Sequence, residues 1–578
     1  MKNLESNNND TVREIIIFLL IAVLIFISTL FYGGLGLTGN LIRLLLISVI
    51  AFLTFRNILT NGDLIFHFKR NLIYFVWVIL FFAYLIFQFF AVSVNRFSSQ
   101  SSFFHLFFSA LIFFSLLVMN WEDYRFRIFK VLIFCGFFQA TLVIIQKITG
   151  FAEVNAEFFQ PPSSFTHVIQ KALGIAGTAG TFFNPNFMVD FLFPIILLSI
   201  IIIFTRQLTK FAKVILWLNN ILMFTAIFLS GSRGGIIAFF ISAIALILLS
   251  RKRFYLIFIP IFLILFFIIP NPLKTKVLGG KEVDPYIYKR LDINQASFKM
   301  FLQKPIFGYG SGTYEDVAEH FKFPVTGGAA NFRMIAKQAH NDYMQILVEN
   351  GIVGFVFMFL LMGWILIKII IARKKYDVFD YVLLASIIGL CIHALVDFNL
   401  RIPGVYTSLM LYIAILLREK NYGETFKYGG EKQLLVLIML ILVLFNVIII
   451  NEFIGVNLRE RGKQLLALGN YDKAQEKLLL STHFNHFDAE AHRLLGLTYM
   501  ERFFREPSES LFVNTIDEFE FSMRYNKISG MIPFNLAYFF ERFYFLKKIN
   551  NQDANKERNQ AIDYYKQAIK CEPSLVLY

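Results

Sequence analysis

The chain has 578 residues, of which 57% are hydrophobic, with 71 phenylalanines and a mean hydropathy of +0.61. A soluble globular domain is excluded as the whole of the molecule, because a run of about 20 apolar residues can cross a bilayer and about thirteen such runs follow one another. The 55 Lys and Arg against 40 Asp and Glu leave a net charge of +15, but no basic stripe with interleaved aromatics lies in a soluble segment, which argues against nucleic acid as the partner.

The apolar runs predict spans at 14–33, 41–59, 72–92, 103–119, 128–147, 186–205, 212–230, 234–250, 254–270, 351–372, 378–397, 402–417 and 433–451. The first lacks a short apolar core with a small-residue cleavage site, so it is expected to stay as an anchor. Basic residues test the order of the spans. Arg56, Lys69 and Arg70 form one cluster, followed by Arg125, Arg127 and Lys130, then Arg206, Lys210 and Lys213. Arg251, Lys252 and Arg253, then Arg373, Lys374 and Lys375, then Arg418, Lys420, Lys427 and Lys432 complete the series. All fall on one side if the N-terminus is cytoplasmic, while the alternate short loops hold only Arg96, Arg233 and Arg401. This is the positive-inside asymmetry. It puts the segments 148–185 and 271–350 outside, together with everything after residue 452. The expected fold class is therefore an all-α polytopic membrane protein of about 12–13 transmembrane helices over residues 1–452, with an external α-helical domain over 453–578.

Three cysteines, Cys135, Cys391 and Cys571, give neither a disulfide framework nor metal-ligand spacing. The residues that carry chemistry instead gather in the outer segments. Gly180-Thr181-Phe182-Phe183-Asn184-Pro185-Asn186 precedes the sixth span. Its asparagines can bind sugar hydroxyls, or cap the helix that follows. Ser232-Arg233-Gly234-Gly235 links two spans. The Arg233 fork fits phosphate oxygens and the glycines admit a close ligand; the plainer reading is an arginine snorkelling to lipid phosphates. Arg290 offers a second phosphate contact ahead of Lys304-Pro305-Ile306-Phe307-Gly308-Tyr309-Gly310-Ser311-Gly312-Thr313. That stretch lacks the Gly-Lys-Ser/Thr ending of a nucleotide loop and also reads as a packed turn.

His340-Asn341 closes the outer segment and is followed, after nine residues, by Gly351-Ile352-Val353-Gly354. Histidine changes charge near neutral pH, so His340 suits a general base at the membrane surface. Asp397 can orient or polarise it. His393 stands at i, i+4 from Asp397 on one predicted helix face, where a packing role competes with a binding one, and Arg401 lies just beyond. Glu282, Asp284, Glu315 and Asp316 form no ligand pattern, so arginines rather than a metal are expected to neutralise an anionic substrate.

After about residue 455 the chain becomes charged and periodic. Leu465 through Ala474, then Ala489, Leu495-Gly496-Leu497 and Tyr499, and again Ala561 through Pro573, have the small-residue and aromatic spacing of tetratricopeptide helix pairs. Residues 501–515 interrupt the period, and a plain helical bundle is the alternative.

Taken in order, these pieces resemble the O-antigen ligase and O-antigen polymerase superfamily. His340-Asn341 with Gly351-x-x-Gly354 looks like its signature, and Gly180 through Asn186 resembles its asparagine turn. Ser232 through Gly235 resembles its arginine turn, and Arg290 before Lys304-Pro305-x-x-Gly308-x-Gly310 resembles the opening of its large periplasmic loop. His393-Ala394-Leu395-Val396-Asp397-Phe398 is similar to a late-span motif. The resemblance spans residues 14–420. It implies a GT-C-type fold in a bacterial inner membrane and an undecaprenyl-diphosphate-linked glycan as donor. It also implies transfer to an acceptor hydroxyl on the periplasmic face, with neither cofactor nor metal. Arg233 and Arg290 would hold the diphosphate, and His340 with Asp397 would handle the acceptor proton. Asn184, Asn186, Asn341, His393 and Arg401 would contact substrate. The acceptor stays open between lipid A–core, a second glycan and a protein hydroxyl, and the helical tail offers a surface for a protein partner. A lipid-linked glycan transporter is the rival from another class. It would show charged or broken spans near the midplane, often repeated between halves, and no such repeat is visible.

Overall fold

The structure, a computed structural model, describes residues 2–33, 36–61, 69, 71–148, 179–182, 184–250, 285–321, 336–418 and 430–572. The expected span 254–270, most of the segment 148–185, the Arg251–Arg253 cluster, Glu282 and Asp284 lie outside them. The described residues fold into helices, with no strand beyond an isolated bridge between Asn95 and Asn526.

The first half of the bundle comprises α1 (Lys2–Gly33), α2 (Leu37–Asn61), α3 (Leu72–Phe87, prolonged by a π-turn over Gln88–Val92), α4 (Arg96–Leu117) and α5 (Trp121–Ile148). Then follow α6 (Pro185–Thr205), α7 (Lys210–Ser230) and α8 (Arg233–Ser250). Two less apolar helices, α9 (Pro285–Gln303) and α10 (Tyr314–Ala318), precede α11 (Asp342–Ala372), α12 (Val378–His393), α13 (Pro403–Leu416) and α14 (Glu431–Ala467). Ten helices of the described residues are long and apolar enough to cross a membrane, and α12 and α13 are shorter apolar helices beside them. The chain is a multi-pass, all-α membrane protein.

Position in the bundle follows from the side chains. In α6 every residue from Phe187 to Ile201 is buried, because α5, α7, α8, α12 and α13 surround it. In contrast, α11 and α14 expose Phe359, Leu360, Ile367, Ile371, Leu440 and Leu444. In water such a display would drive aggregation; in hydrocarbon it is the favoured outer surface. Asn184 caps α6, accepting from the Asn186 amide at 2.9 Å, and Pro185 supplies the preset φ of a first helical residue. The turn ahead of it is anchored by two buried glutamines of α5. Gln146 exchanges both its amide groups with Gly180, at 2.7 and 3.0 Å, and Gln139 bonds Thr181 at 2.7 Å. At the other end of the bundle the basic clusters also hold structure. Arg125 meets Asp377 at 2.7 Å and Asp380 at 3.2 Å, and Arg418 meets Asp380 at 2.6 Å, which ties α5, α12 and α13 together.

The Gly-rich stretch over 304–313 is a packed turn. It docks on a break in α11, where Gly351 has φ 59° and ψ −166°. The Ile352 amide donates to the Pro305 carbonyl at 2.8 Å and the Val353 amide to Ile306 at 3.2 Å, while Tyr309 and Gly310 donate back to Val348 and Glu349 at 3.1 and 2.9 Å. A Cβ on Gly351 would overlap the Ile306 carbonyl, and one on Gly308 the Glu349 carbonyl. Glycine is needed here for both conformation and contact.

The last predicted span does not stop at the membrane. As α14 it runs unbroken from Glu431 to Ala467 into the tail, which continues as α15 (Tyr471–Phe484), α16 (Ala489–Arg505), α17 (Glu509–Tyr525), α18 (Met531–Ile549) and α19 (Asn555–Cys571). Neighbours pack in pairs, α14 on α15, α16 on α17 and α18 on α19. Small residues sit where helices cross: a Cβ on Gly462 would lie 2.6 Å from Leu478, and one on Gly496 would lie 3.1 Å from the Phe519 ring. The interruption at 501–515 is a link, Glu506–Ser508, between α16 and α17, with Ser508 capping the second helix.

Gly351→Ala is expected to cost about 2 kcal/mol or more, because it adds a steric overlap to a conformation reserved for glycine. Gly363→Ala, in the same helix with nothing within 4 Å, is expected to be neutral or slightly stabilising. Thermal unfolding of the two variants in detergent measures the contrast.

Candidate functional site

Segments far apart in sequence meet at the end of the bundle where α6, α8 and α11 begin and α12 ends. The α12 helix stops at His393, sooner than predicted, and residues 394–402 form an irregular strap. The Asp342 amide at the start of α11 donates to the Ala394 carbonyl at 2.9 Å, which joins α11 to that strap.

The Asp397 carboxylate on this strap is fully buried and is shared by three other segments. Its Oδ1 lies 3.3 Å from His340 Nδ1 and accepts the Phe398 amide at 3.0 Å. Its Oδ2 accepts from Asn186 Nδ2 at 2.5 Å and from Arg290 Nη2 at 3.4 Å. Burial alone would push this carboxyl up. The hydrogen bond with His340 and the charge of Arg290 outweigh burial and hold it below the usual carboxylate range. The group is an anion at neutral pH, fit to accept every one of these bonds.

His340 reaches this carboxylate from a strained backbone, with φ +49° in a residue that is not glycine. The strain is held from α11: Gln345 accepts the Ala339 amide at 3.1 Å and donates to Gln338 at 2.7 Å. The ring stands edge-on to Phe398 at 5.1 Å. With Nδ1 turned to Asp397, Nε2 is the nitrogen left to meet a substrate.

Arg233 is the first residue of α8, where the helix dipole favours an anion. Ser232 immediately before it donates to Asn186 Oδ1 at 2.6 Å and accepts the Gly235 amide at 3.2 Å. A Cβ on Gly234 would overlap His393, and one on Gly235 would overlap Val189. The two glycines thus press the start of α8 onto α12 and α6. One bonded path runs from Ser232 through Asn186 to Asp397, and from there to His340 and Arg290.

The other expected residues have different duties. His393 does not pair with Asp397: its Nδ1 bonds both oxygens of the buried Asp190, at 2.8 and 2.9 Å. Arg401 is spent on carboxylates, with Nε 3.3 Å from Asp342 and its two Nη atoms 3.3 and 3.2 Å from Glu349. Asn341 caps α11 by accepting the Met344 amide at 3.1 Å. Asn184 caps α6, so Asn186 is the asparagine of that turn that enters the network. Among the described residues no group of three or more His, Cys, Asp or Glu is arranged to hold a metal ion. Asp190, Ser232, Asp342, Gln345 and Glu349 were not among the expected site residues. Asp190 carried a readable signal, an ionisable residue inside an apolar run.

A family model described as O-antigen ligase matches residues 218–359. Over those residues the chain is similar to O-antigen ligases. The matched stretch takes in Arg233, Arg290, the docked glycine turn, His340 and the break at Gly351. Asn186, Asp397 and the tail lie beyond it. None of the curated proteins matches the chain.

Because the Asp397 carboxyl is lower in the folded state than in an unfolded chain, where it titrates near roughly 3.9, its contribution to stability is complete above that value. The contribution is lost as pH falls through the lower folded one. Thermal midpoints recorded from about pH 6 down to pH 3 are expected to show this acid limb in the wild type and a flatter one in Asp397→Asn.

Proposed function

We propose that the protein moves a glycan from an undecaprenyl-diphosphate carrier to an acceptor hydroxyl on the outer face of the bacterial inner membrane, by a metal-independent displacement. The single observation that carries this reading is the buried Asp397 carboxylate, bonded through its two oxygens to His340 and Arg290, both of which lie in the stretch similar to O-antigen ligases. In this reaction Asp397 holds the proton of His340 on Nδ1, which leaves the Nε2 lone pair to accept the proton of the acceptor hydroxyl. The acceptor oxygen bonds to the anomeric carbon, and the bond from that carbon to the diphosphate oxygen breaks. The electron pair leaves with the carrier diphosphate. Arg233 and Arg290 answer that charge as it develops, Arg233 from the start of α8 and Arg290 with the donors that Asp397 leaves over. Asn186 and Ser232 keep the carboxylate and the start of α8 in register.

The domain organisation we propose is a transmembrane ligase-like part over 1–452 and an external, tetratricopeptide-like part over 453–578. The tail touches the outer stretch: the Lys527 amide donates to the Val94 carbonyl at 2.8 Å, and Asn526 reaches Asp316 at 3.4 Å. This contact favours an acceptor delivered with the help of a protein partner, as in surface polysaccharide assembly or protein glycosylation, over a bare lipid A–core.

The test is transfer from a lipid-diphosphate-linked oligosaccharide by purified protein. His340→Ala is expected to abolish turnover. Arg233→Ala and Arg290→Ala are each expected to lose about 10²–10³-fold, the scale of one charged donor at a reacting centre. Transfer at the wild-type rate by all three variants, or movement of the donor across vesicles without transfer, would refute the reading.

A further inference from the structure

A second polar cluster lies away from the Asp397 network, and the transfer reaction makes no use of it. Arg43 of α2 is fully buried. Its guanidinium donates to Tyr406 of α13, to Asn40 Oδ1 at 2.7 Å and toward His105 Nδ1 of α4 at 3.1 Å. All three are neutral acceptors. Among the described residues no carboxylate pairs with this cation, and its Nε has no acceptor. A buried charge without a counter-charge is strongly unfavourable.

The proton count makes the shortage sharper. His105 Nε2 lies 3.1 Å from Asn40 Nδ2, an amide nitrogen that only donates, while Nδ1 faces a guanidinium that only donates. A neutral imidazole has one acceptor nitrogen, not two. The cluster therefore holds more donors than acceptors as well as an uncompensated positive charge. An oxygen-rich anion supplies what is missing on both counts.

A cavity opens directly beside it. It is small and half open to the surroundings, and Asn40 and His105 form part of its wall. Across from them the wall carries Ser101 and Glu452, the latter of α14, and the remainder is apolar: Leu41, Leu44, Phe104 and Ile449 among others. The cavity is thus donor-rich on one side, with Arg43 behind that wall, carries a carboxyl group on the other, to which Gln100 donates at 3.4 Å, and is greasy between. A simple anion would be repelled by Glu452, and a glycan is too large and too polar for this wall.

We propose that this cavity binds the headgroup of an aminophospholipid, its phosphate against the Asn40–His105 side backed by Arg43 and its primary ammonium against Glu452. The apolar wall takes the start of the acyl chains. A bound lipid would lock α2, α4 and α14 together, and α14 is the helix that runs on into the tail.

The experiment is native mass spectrometry of the purified, delipidated protein in micelles supplied with phosphatidylethanolamine, phosphatidylcholine, phosphatidylglycerol or inorganic phosphate. Wild type is expected to retain one phosphatidylethanolamine at least tenfold more strongly than either other lipid, since only it pairs a phosphate with an ammonium that donates hydrogen bonds. Glu452→Gln is expected to erase that preference, and Arg43→Met to weaken retention of all three. Equal retention of the three lipids by wild type would overturn the proposal, as would an unchanged preference in Glu452→Gln. Displacement of the lipid by inorganic phosphate would assign the cavity to the free ion instead. Should Arg43→Met fail to fold, Glu452→Gln decides alone. None of these readings depends on glycan transfer.

Discussion

The architecture of the site depends on burying one carboxylate, Asp397, among donors from three other parts of the chain. A lone buried carboxylate is costly, and it stays ionised only where hydrogen bonds and positive charge meet it. Here Asn186, Arg290 and His340 do so at 2.5, 3.4 and 3.3 Å. The requirement is mutual. Remove the carboxylate and a guanidinium, an imidazole and an amide lose their common acceptor, and the ends of α6, α9 and α11 lose what draws them together. The short α12 is part of the same solution: the helix ends at His393, and the irregular strap beyond it can turn Asp397 toward residues that a continued helix would not face.

Around this network the chain uses close backbone contact where side chains would be too bulky. The Gly308–Gly310 turn lies on the break at Gly351 through paired main-chain bonds. His340 leads into the first half of the helix that this break divides. The start of α8, with Arg233, is pressed onto His393 and Val189 by two adjacent glycines. His393 in turn is fixed by the buried Asp190 of α6, the most enclosed of the long apolar helices among the described residues. Residues whose chemistry matters thus stand on backbone whose position is set by glycines and by buried polar pairs.

Much of this was legible in the sequence, and for physical reasons. The all-α, multi-pass class follows from apolar run length, which the bilayer dictates. Arg290, His340 and Asp397 stood out because residues of this chemistry are few in the segments predicted to share one side of the spans. Pairing was less legible. The i, i+4 spacing of His393 and Asp397 suggested one helix face, but the helix ends between them and each finds a partner more than fifty residues away. Arg401 looked like a substrate contact because its two carboxylates, Asp342 and Glu349, lie in a segment that reads as the lead-in to a span. Asn184 and Asn341 fill capping positions, a duty that spacing alone does not separate from ligand binding. The unbroken α14 was hidden by the change in composition near residue 452, since a helix keeps its geometry while its surroundings pass from lipid to water.

The tail is attached to this machinery by more than one helix. Asp316, in the short α10 that follows the glycine turn, accepts from Asn95 at 2.8 Å, from Ser98 at 3.0 Å and from Asn526 at 3.4 Å. Arg96 stands over Phe89 of the bundle and Tyr525 of the tail, 6.0 and 5.9 Å from their ring centres. A flexible linker would let the tail sample many orientations. A continuous α14 on one side and the Asp316 joint on the other remove that freedom. The surface formed by α15 to α19 is consequently held at a set angle to the turn that packs on α11. A protein docked on that surface would meet the His340 end of the bundle in one geometry, which is the condition under which positioning alone can raise a transfer rate.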